Sequence, residues 1–167
     1  MNIRNGFFAC LLVAGLTSLQ GFGSDRQPVA LEGDTSRSIN FAEKYENQRP
    51  EGDQCSVPIN STVDWSFADD NPCKNDQMNY FQLNNVRSAT GIELESRHCN
   101  DSGGWVFALK TYVDPVSTDW IDIEELKGQE PGYIVREGVY LEWKRHQNDD
   151  QIKGKLSCVR VRTSRRR

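Results

Sequence analysis

Alternation of hydrophobic and polar residues is the clearest structural pattern along this chain. The segment GIELES, residues 91–96, alternates isoleucine and leucine with glutamate, and GWVFALKTYV, residues 104–113, places Trp105, Phe107 and Leu109 on one face. A two-residue period of this kind is typical of a β-strand with one buried face. Further short runs of the same type occupy residues 120–123, 132–135, 138–143 and 155–161.

Clusters of Gly, Pro, Asn and Asp separate these runs, as they do in proteins built from short antiparallel strands. Helical periodicity is weak after the first 23 residues. Residues 39–48 are compatible with one or two helical turns, and residues 122–128 with a short turn. The sequence therefore predicts an all-β fold, a small antiparallel Greek-key sandwich or barrel.

The first 23 residues have the layout of a secretory signal peptide. A short basic start at residues 1–4 precedes the apolar segment GFFACLLVAGL, residues 6–16, and the small residues of GFG, residues 21–23, suit a cleavage site. The apolar segment is shorter than the roughly 20 residues that a transmembrane helix needs. We therefore expect an exported protein, periplasmic or extracellular, without a membrane span.

Residues 24–54 are predicted to form a polar, mobile arm. Prolines and glycines interrupt this stretch, and its hydrophobic residues show little periodicity. The folded domain is expected to span residues 55–163, which is near the commonest domain size. Residues 164–167 form a basic tail, for which we favour a solvated terminus over a docking segment.

The charge balance restricts the classes of partner. The chain has 20 Lys and Arg residues against 24 Asp and Glu residues, a net charge of −4. Loss of Arg4 with the signal peptide makes the mature chain slightly more acidic. A general nucleic-acid-binding protein has a basic surface, so the composition argues against that class. An acidic surface instead favours association with a basic partner.

Cysteine number indicates how the fold is stabilised. Four cysteines follow the predicted signal peptide: Cys55, Cys73, Cys99 and Cys158. An even number in an exported chain predicts two disulfides, with three pairings open. A zinc site is the less favoured alternative, because the chain has no C-x-x-C pair and its only histidines are His98 and His146.

Aromatic residues next to turns are candidates for a contact surface. Trp105 and Trp143 fall within strand patterns, so we expect them in the core. Trp65 and Trp120 lie closer to turn signals, and the polar loop at residues 61–76 is the candidate surface for binding a partner. The residues predicted for this surface are Trp65, Phe67, Asp69, Asp70 and Trp120.

A faint repeat surrounds the stretch NPCKNDQMNYFQL, residues 71–83. Segments that begin at Asn75, Val113 and Lys153 each run from a polar turn into a strand pattern. This arrangement, within residues 73–161, resembles the Greek-key units of βγ-crystallin-like proteins. In that family an N/D-N/D-x-x-S/T-S segment ligates calcium.

The resemblance implies a calcium site at the first of these turns. Asn75 and Asp76 match the first two positions of the family segment, although Asn79 and Tyr80 replace its hydroxyl pair. Ser117 and Thr118 match the hydroxyl positions of the second segment, and Ser157 matches the third segment. From the residues alone, the alternative is an Asx-type turn in which a side chain caps its own backbone. The residues themselves indicate no cofactor.

Catalytic motifs are absent from the sequence. We find no Gly-x-Ser-x-Gly elbow, phosphate loop or His-Glu-x-x-His helix. Carboxylates cluster in TDWIDIEE, residues 118–125, which keeps a small secreted carbohydrate-active hydrolase as a second alternative. The residues in this cluster are Asp119, Asp122, Glu124 and Glu125.

Taken together, these patterns favour a protein that acts by binding. A small β domain with two disulfides is a rigid scaffold, and rigid loops lose less entropy when they associate. We expect a non-enzymatic domain that binds a secreted or periplasmic protein, such as an inhibitor or immunity protein against a hydrolase or toxin. The first alternative is a calcium-stabilised βγ-crystallin-like structural or toxin module.

Overall fold

The structure is a computed structural model that describes residues 36–164. The predicted signal peptide, residues 24–35 of the predicted arm and residues 165–167 of the predicted tail lie outside the described residues. Between residues 36 and 164, no helical segment has the length and hydropathy that a membrane span requires.

Strands dominate this part of the chain. They are β1 (Ser38–Glu46), β2 (Arg49–Pro58), β3 (Val63–Ser66), β4 (Tyr80–Asn84), β5 (Gly91–Glu95), β6 (Val106–Thr111), β7 (Ile121–Asp122), β8 (Ile134–Arg136), β9 (Val139–Arg145) and β10 (Cys158–Arg162). A 3₁₀ helix, Ile123–Gly128, follows β7 and begins at an Asp122 cap, whose side chain accepts a hydrogen bond from the backbone of Glu124.

The strands form two antiparallel sheets around one hydrophobic core. Sheet A has the order β2-β1-β4-β7, and sheet B has the order β3-β10-β5-β6-β9-β8. Fully buried side chains from both sheets share the core, including Ile39 and Phe41 of sheet A and Phe107 and Leu109 of sheet B. The predicted fold class, a small antiparallel β structure with two disulfides, is confirmed.

The prediction of a mobile arm is wrong for residues 38–54. β1 lies between β2 and β4 in sheet A, and Ile39, Phe41 and Ala42 are fully buried. A bulge between Ala42 and Lys44 breaks the two-residue period, which conceals the strand in the sequence. β2 is an edge strand with mostly exposed residues, so its polar composition fits its position. The helical turns predicted for residues 39–48 are also wrong.

Two disulfides connect distant parts of the chain, and their pairing settles the choice that the sequence leaves open. Cys55 of β2 is bonded to Cys73 in the loop before β4, with a Cα–Cα distance of 5.4 Å. Cys99, in the loop after β5, is bonded to Cys158 of β10, with a Cα–Cα distance of 5.1 Å. Each bond therefore fixes a long loop to a strand.

The two tryptophans predicted for the core have different environments. Trp105 is buried, as expected, and its indole nitrogen donates a hydrogen bond to the backbone oxygen of Gln151 at 3.0 Å. Trp143 is 39% exposed, so that prediction is wrong. The ladder between β6 and β9 shifts register between Ala108 and Leu109, and this bulge turns Trp143 to the face opposite Leu141.

The two disulfides should contribute unequally to the free energy of unfolding. The Cys99–Cys158 bond closes a loop of 59 residues, whereas Cys55–Cys73 closes one of 18. Because cross-linking a longer loop removes more entropy from the unfolded chain, C99A/C158A should lower the free energy of unfolding by about 1 kcal/mol more than C55A/C73A. Urea denaturation of the two double variants measures the difference. A larger loss for C55A/C73A would contradict the expectation.

Candidate functional site

A polar cleft of about 360 Å³ lies where three loops meet. The loops connect β3 to β4, β5 to β6, and β9 to β10. The side chains in its wall carry both signs of charge and include Asp76, Arg97, Asp101, Asp150 and Lys155, and His98 also lines it. Asn75 also lines this cleft, so the structure places the predicted calcium residues beside a real concavity.

Contacts from other loops hold the Asn75–Asp76 turn. The backbone nitrogen of Asn75 donates to the Asp70 carboxylate at 2.7 Å. Asp76 has a φ of 54°, and its carboxylate accepts a hydrogen bond from the Ser157 hydroxyl at 3.0 Å. Lys155 Nζ lies 3.9 Å from the other carboxylate oxygen of Asp76. The Asp76 side chain thus joins the turn to the loop before β10.

The donor set at this turn does not fit a calcium ion. Calcium takes six to eight oxygens, several of them from carboxylates. Across residues 36–164, no three His, Cys, Asp or Glu side chains are grouped so that they could hold a metal. The Asp76 carboxylate already faces Ser157 and Lys155. We therefore derive no function from calcium at Asn75 and Asp76.

Two buried polar atoms in the cleft lack hydrogen-bond partners. They are Asn75 Oδ1 and His98 Nδ1. In the sequence, His98 belongs to no motif that indicates a binding site, apart from the less favoured zinc site. The Cys99–Cys158 bond brings the His98 loop to the start of β10, a contact that residue spacing does not reveal. These atoms give the cleft unused capacity for a polar ligand.

The carboxylate cluster that kept a hydrolase open has structural partners. Asp122 caps the 3₁₀ helix and lies 3.6 Å from Lys153 Nζ. Glu124 lies 3.3 Å from the same ammonium group, and Glu125 pairs with Arg136 at 2.8 Å. The hydrogen bond that Lys153 donates to Glu124 and the charge of Asp122 raise the pKa of Lys153. Three of these four carboxylates therefore stabilise the region after β7.

The predicted contact residues differ in their exposure. Trp65 is half-buried, and its indole nitrogen donates to the backbone oxygen of Pro58 at 3.2 Å. Phe67 is fully buried, with its ring centroid 5.9 Å from that of Phe41, so its prediction as a contact residue is wrong. Trp120 lies beside Tyr45 of β1, at a ring-centroid distance of 6.1 Å.

Asp69 and Asp70 are the exposed members of that predicted set. Asp70 has a structural role, because it accepts the hydrogen bond from the backbone of Asn75. Phe67 lies in the core, so it does not belong to such a surface, and Trp120 packs beside sheet A.

The large exposed hydrophobic side chains gather elsewhere, around β6, β8 and β9. Among residues 36–164 they are Tyr112, Val113, Tyr133, Ile134 and Trp143. With Tyr140 they are named the aromatic surface below. Tyr112 and Tyr140 have ring centroids 6.2 Å apart, and Ile134 is the ladder partner of Tyr140. Ile134 of β8, Tyr140 of β9 and Tyr112, which follows β6, are thus neighbours on sheet B.

Backbone hydrogen bonds fix the aromatic surface in place. The nitrogen of Tyr112 donates to the oxygen of Gly138 at 2.9 Å, which joins the end of β6 to the β8–β9 turn. The nitrogen of Leu141 donates to the oxygen of Tyr133 at 2.9 Å. Gly138 has a φ of 87° and Val113 and Val116 leave no room for a Cβ there, so this turn requires glycine.

Charges around the aromatic surface are mostly paired. Lys110 lies 3.4 Å from Glu142, and Lys144 lies 3.7 Å from Glu130. Asp114 follows Val113, and Glu137 precedes Gly138 in the β8–β9 turn. Both are exposed, and neither forms an ion pair in the described part of the chain. Next to Val113 and Gly138, the unpaired charge among residues 36–164 is therefore negative, whereas Arg145 of β9 is an exposed cation without an ion pair in that range.

A ladder of charged residues crosses the other half of sheet B. Arg160 of β10 donates to Glu95 at 2.5 Å and to Asp64 at 3.0 Å, and Arg162 also bonds Asp64. The hydrogen bond from Arg162 lowers the pKa of Asp64. Burial, reinforced by the neighbouring Glu95, raises the pKa of Glu93.

Because these pKa shifts are opposite, neutralising Glu93 and neutralising Asp64 should change the stability of the folded protein in opposite directions. A raised folded-state pKa means that ionised Glu93 opposes folding once the pH exceeds its unfolded pKa, so E93Q should stabilise the protein at pH 7. A lowered folded-state pKa means that ionised Asp64 favours folding, so D64N should destabilise it by roughly 0.5 kcal/mol, as a partly exposed pair would. Both differences should vanish as the pH falls below the folded-state pKa of Asp64.

Thermal unfolding of E93Q, D64N and the unsubstituted protein between pH 3 and pH 7 tests this expectation. Each variant acts as the control for the other, since both replace a carboxylate with an amide of the same size on one sheet face. A Tm change of the same sign in both variants at pH 7 would contradict it.

Comparison with protein-family models, curated protein sequences and solved structures finds no match to this chain.

Proposed function

We propose that this chain is an exported, non-enzymatic domain that binds a basic secreted or periplasmic protein, as an inhibitor or immunity protein against a hydrolase or toxin does. The observation that carries the proposal is the gathering of the large exposed hydrophobic side chains of residues 36–164 on the aromatic surface. Soluble proteins rarely leave such a group of side chains in water without a binding role.

The composition of the aromatic surface favours a protein as the ligand. Tyr and Trp are enriched in protein interfaces and provide much of the binding energy, because each buries a large area with few rotatable bonds. Tyr133 and Ile134 are 42% and 50% exposed, so a partner would bury much of both side chains. No pocket is needed for this mode of recognition.

Rigidity of the scaffold supports the same function. The aromatic surface lies on paired strands, and backbone hydrogen bonds hold the β8–β9 turn against the end of β6. Little conformational entropy would therefore be lost when a partner binds. Two disulfides suit an oxidising compartment, which supports the proposed export.

The charge of the protein supports a basic partner. The chain has a net charge of −4, and the unpaired rim residues Asp114 and Glu137 are both acidic. Opposite charges accelerate encounter and exclude partners with an acidic surface. Basic secreted hydrolases, lysozyme-like enzymes among them, have the required chemistry.

Two exposed side chains of the aromatic surface, Tyr133 and Ile134, test the proposed function. Y133S/I134S should bind the partner at least 30-fold more weakly than the unsubstituted protein, as expected when a cluster of interface anchors worth about 2 kcal/mol is lost. Both side chains are about half exposed, so the fold should persist. Biolayer interferometry and inhibition assays against a panel of purified basic secreted hydrolases measure the effect.

D69S is the matched control, because Asp69 is exposed and forms no ion pair within residues 36–164. It should bind within twofold of the unsubstituted protein. Analytical ultracentrifugation separates a foreign partner from self-association. If the unsubstituted domain is a dimer and Y133S/I134S is a monomer, the aromatic surface is a homodimer interface and the proposal is wrong.

The second prediction concerns the acidic rim. D114N/E137Q should lower the association rate constant several-fold at low salt while changing the dissociation rate constant little, because exposed rim charges act mainly on encounter. The difference should shrink as salt rises from 20 to 300 mM, where the screening length falls below about 10 Å. Stopped-flow association kinetics test this, and an unchanged association rate at low salt would contradict a basic partner.

A further inference from the structure

A small cavity of about 40 Å³ lies beside the end of β10, and two arginines line it. Arg37 precedes β1, and Arg87 lies in the connection between β4 and β5. The remaining polar lining consists of Asn60, Thr90, Thr163 and Ser164. The cavity is separate from both the polar cleft and the aromatic surface, which are lined by other residues.

The two arginines lack the carboxylate partners that comparable arginines have. Arg37 and Arg87 are half-buried, and no ion pair within residues 36–164 involves either one. The other half-buried arginines of that range, Arg136 and Arg160, are each paired with a carboxylate. The cavity lining contains no Asp or Glu. Two half-buried arginines without a carboxylate partner within residues 36–164 are unexpected in a chain that has more acidic than basic residues.

One guanidinium nitrogen is also left without a hydrogen bond. Arg37 Nε is buried and has no partner. Burying a charged donor without an acceptor is unfavourable, so native proteins normally provide one from the protein, from water or from a ligand. The hydrogen-bonding capacity of Arg37 is therefore not fully used within residues 36–164.

The lining matches the chemistry of an oxyanion. Guanidinium groups bind phosphate, sulfate and carboxylate groups through paired N–H donors in a planar fork. The hydroxyl of Thr90 and the amide of Asn60 are further polar groups of the lining, whereas the hydroxyls of Thr163 and Ser164 already have partners in Thr62 and Ser88. A volume of about 40 Å³ suits a group of a few heavy atoms, not a larger ligand.

We propose that Arg37 and Arg87 form a binding site for an oxyanion taken from solution, such as inorganic phosphate or sulfate. The anion pairs with two guanidinium groups that have no carboxylate partner within residues 36–164, and it bridges the start of β1, the β4–β5 connection and the end of β10. Binding therefore stabilises the folded state. This proposal is independent of the aromatic surface and its partner.

The experiment measures the thermal unfolding of the mature chain, residues 24–167, in increasing sodium phosphate at a constant ionic strength set with sodium chloride. The Tm should rise by several degrees and saturate in the millimolar range or below, because a ligand that binds only the folded state stabilises it in proportion to its occupancy. In R37Q/R87Q the saturable rise should disappear, and calorimetric titration with phosphate should give a Kd at least tenfold higher.

R97Q/R145Q is the matched control. It removes two exposed arginines that lie outside the cavity lining, so it should keep the saturable rise. If R37Q/R87Q does not fold, the single variants R37Q and R87Q are titrated instead, and each should weaken phosphate binding. An equal Tm rise in R37Q/R87Q and the unsubstituted protein would show general exclusion of phosphate from the protein surface and overturn the proposal.

A carboxylate from elsewhere in this chain is the alternative ligand for Arg37 and Arg87. Glu32 and Asp34 shortly precede Arg37 in the sequence and lie outside the described residues. E32Q/D34N distinguishes the two sources. If the unsubstituted protein shows no saturable rise and E32Q/D34N does, the arginines bind an internal carboxylate, and the proposal of an anion from solution is wrong.

Discussion

The attachment of β10 to three earlier parts of the chain is the constraint on which the fold depends. β10 lies between β3 and β5 in sheet B, and Val159 and Val161 are fully buried in the core. Cys158 is bonded covalently to Cys99, and Arg160 bridges Glu95 and Asp64 on the other face of the sheet. Hydrophobic burial, a disulfide and ion pairs therefore act on the same five-residue strand.

The polar cleft and the cavity lined by Arg37 and Arg87 both depend on the attachment of β10. Ser157, just before β10, lines the polar cleft and donates a hydrogen bond to Asp76. Thr163, just after β10, lines the small cavity beside Arg37 and Arg87. The aromatic surface has a different origin, because it lies on β9 and its neighbours at the opposite edge of sheet B. Local loosening of the β8–β9 hairpin would thus alter the aromatic surface while leaving the geometry around β10 intact.

The sequence predicts what depends on local patterning. Regular alternation in β5 and β6 identifies these strands, and the number of cysteines predicts two disulfides. Predictions fail where a bulge breaks the period. One bulge in β1 hides a central strand within the presumed arm, and another opposite β6 turns Trp143 outward. One extra residue reverses the face of every side chain that follows, so a correct strand assignment can still give the wrong surface.

The sites are harder to predict than the strands because long-range contacts create them. Asp76 meets Ser157 through the attachment of β10, and Arg37 meets Arg87 through the pairing of β1 with β4. No spacing rule connects such residues, and none of these positions carries a distinctive motif.

Unfavourable interactions in the folded structure indicate binding regions more directly than sequence motifs do. Within residues 36–164, apolar side chains exposed to water and two half-buried arginines without carboxylate partners both oppose folding. The ligands that we propose for them differ in chemistry, since apolar side chains favour another apolar surface and arginines favour an oxyanion. The two regions also lie in different parts of the fold, so a single ligand does not match both. The proposed binding events are therefore separate.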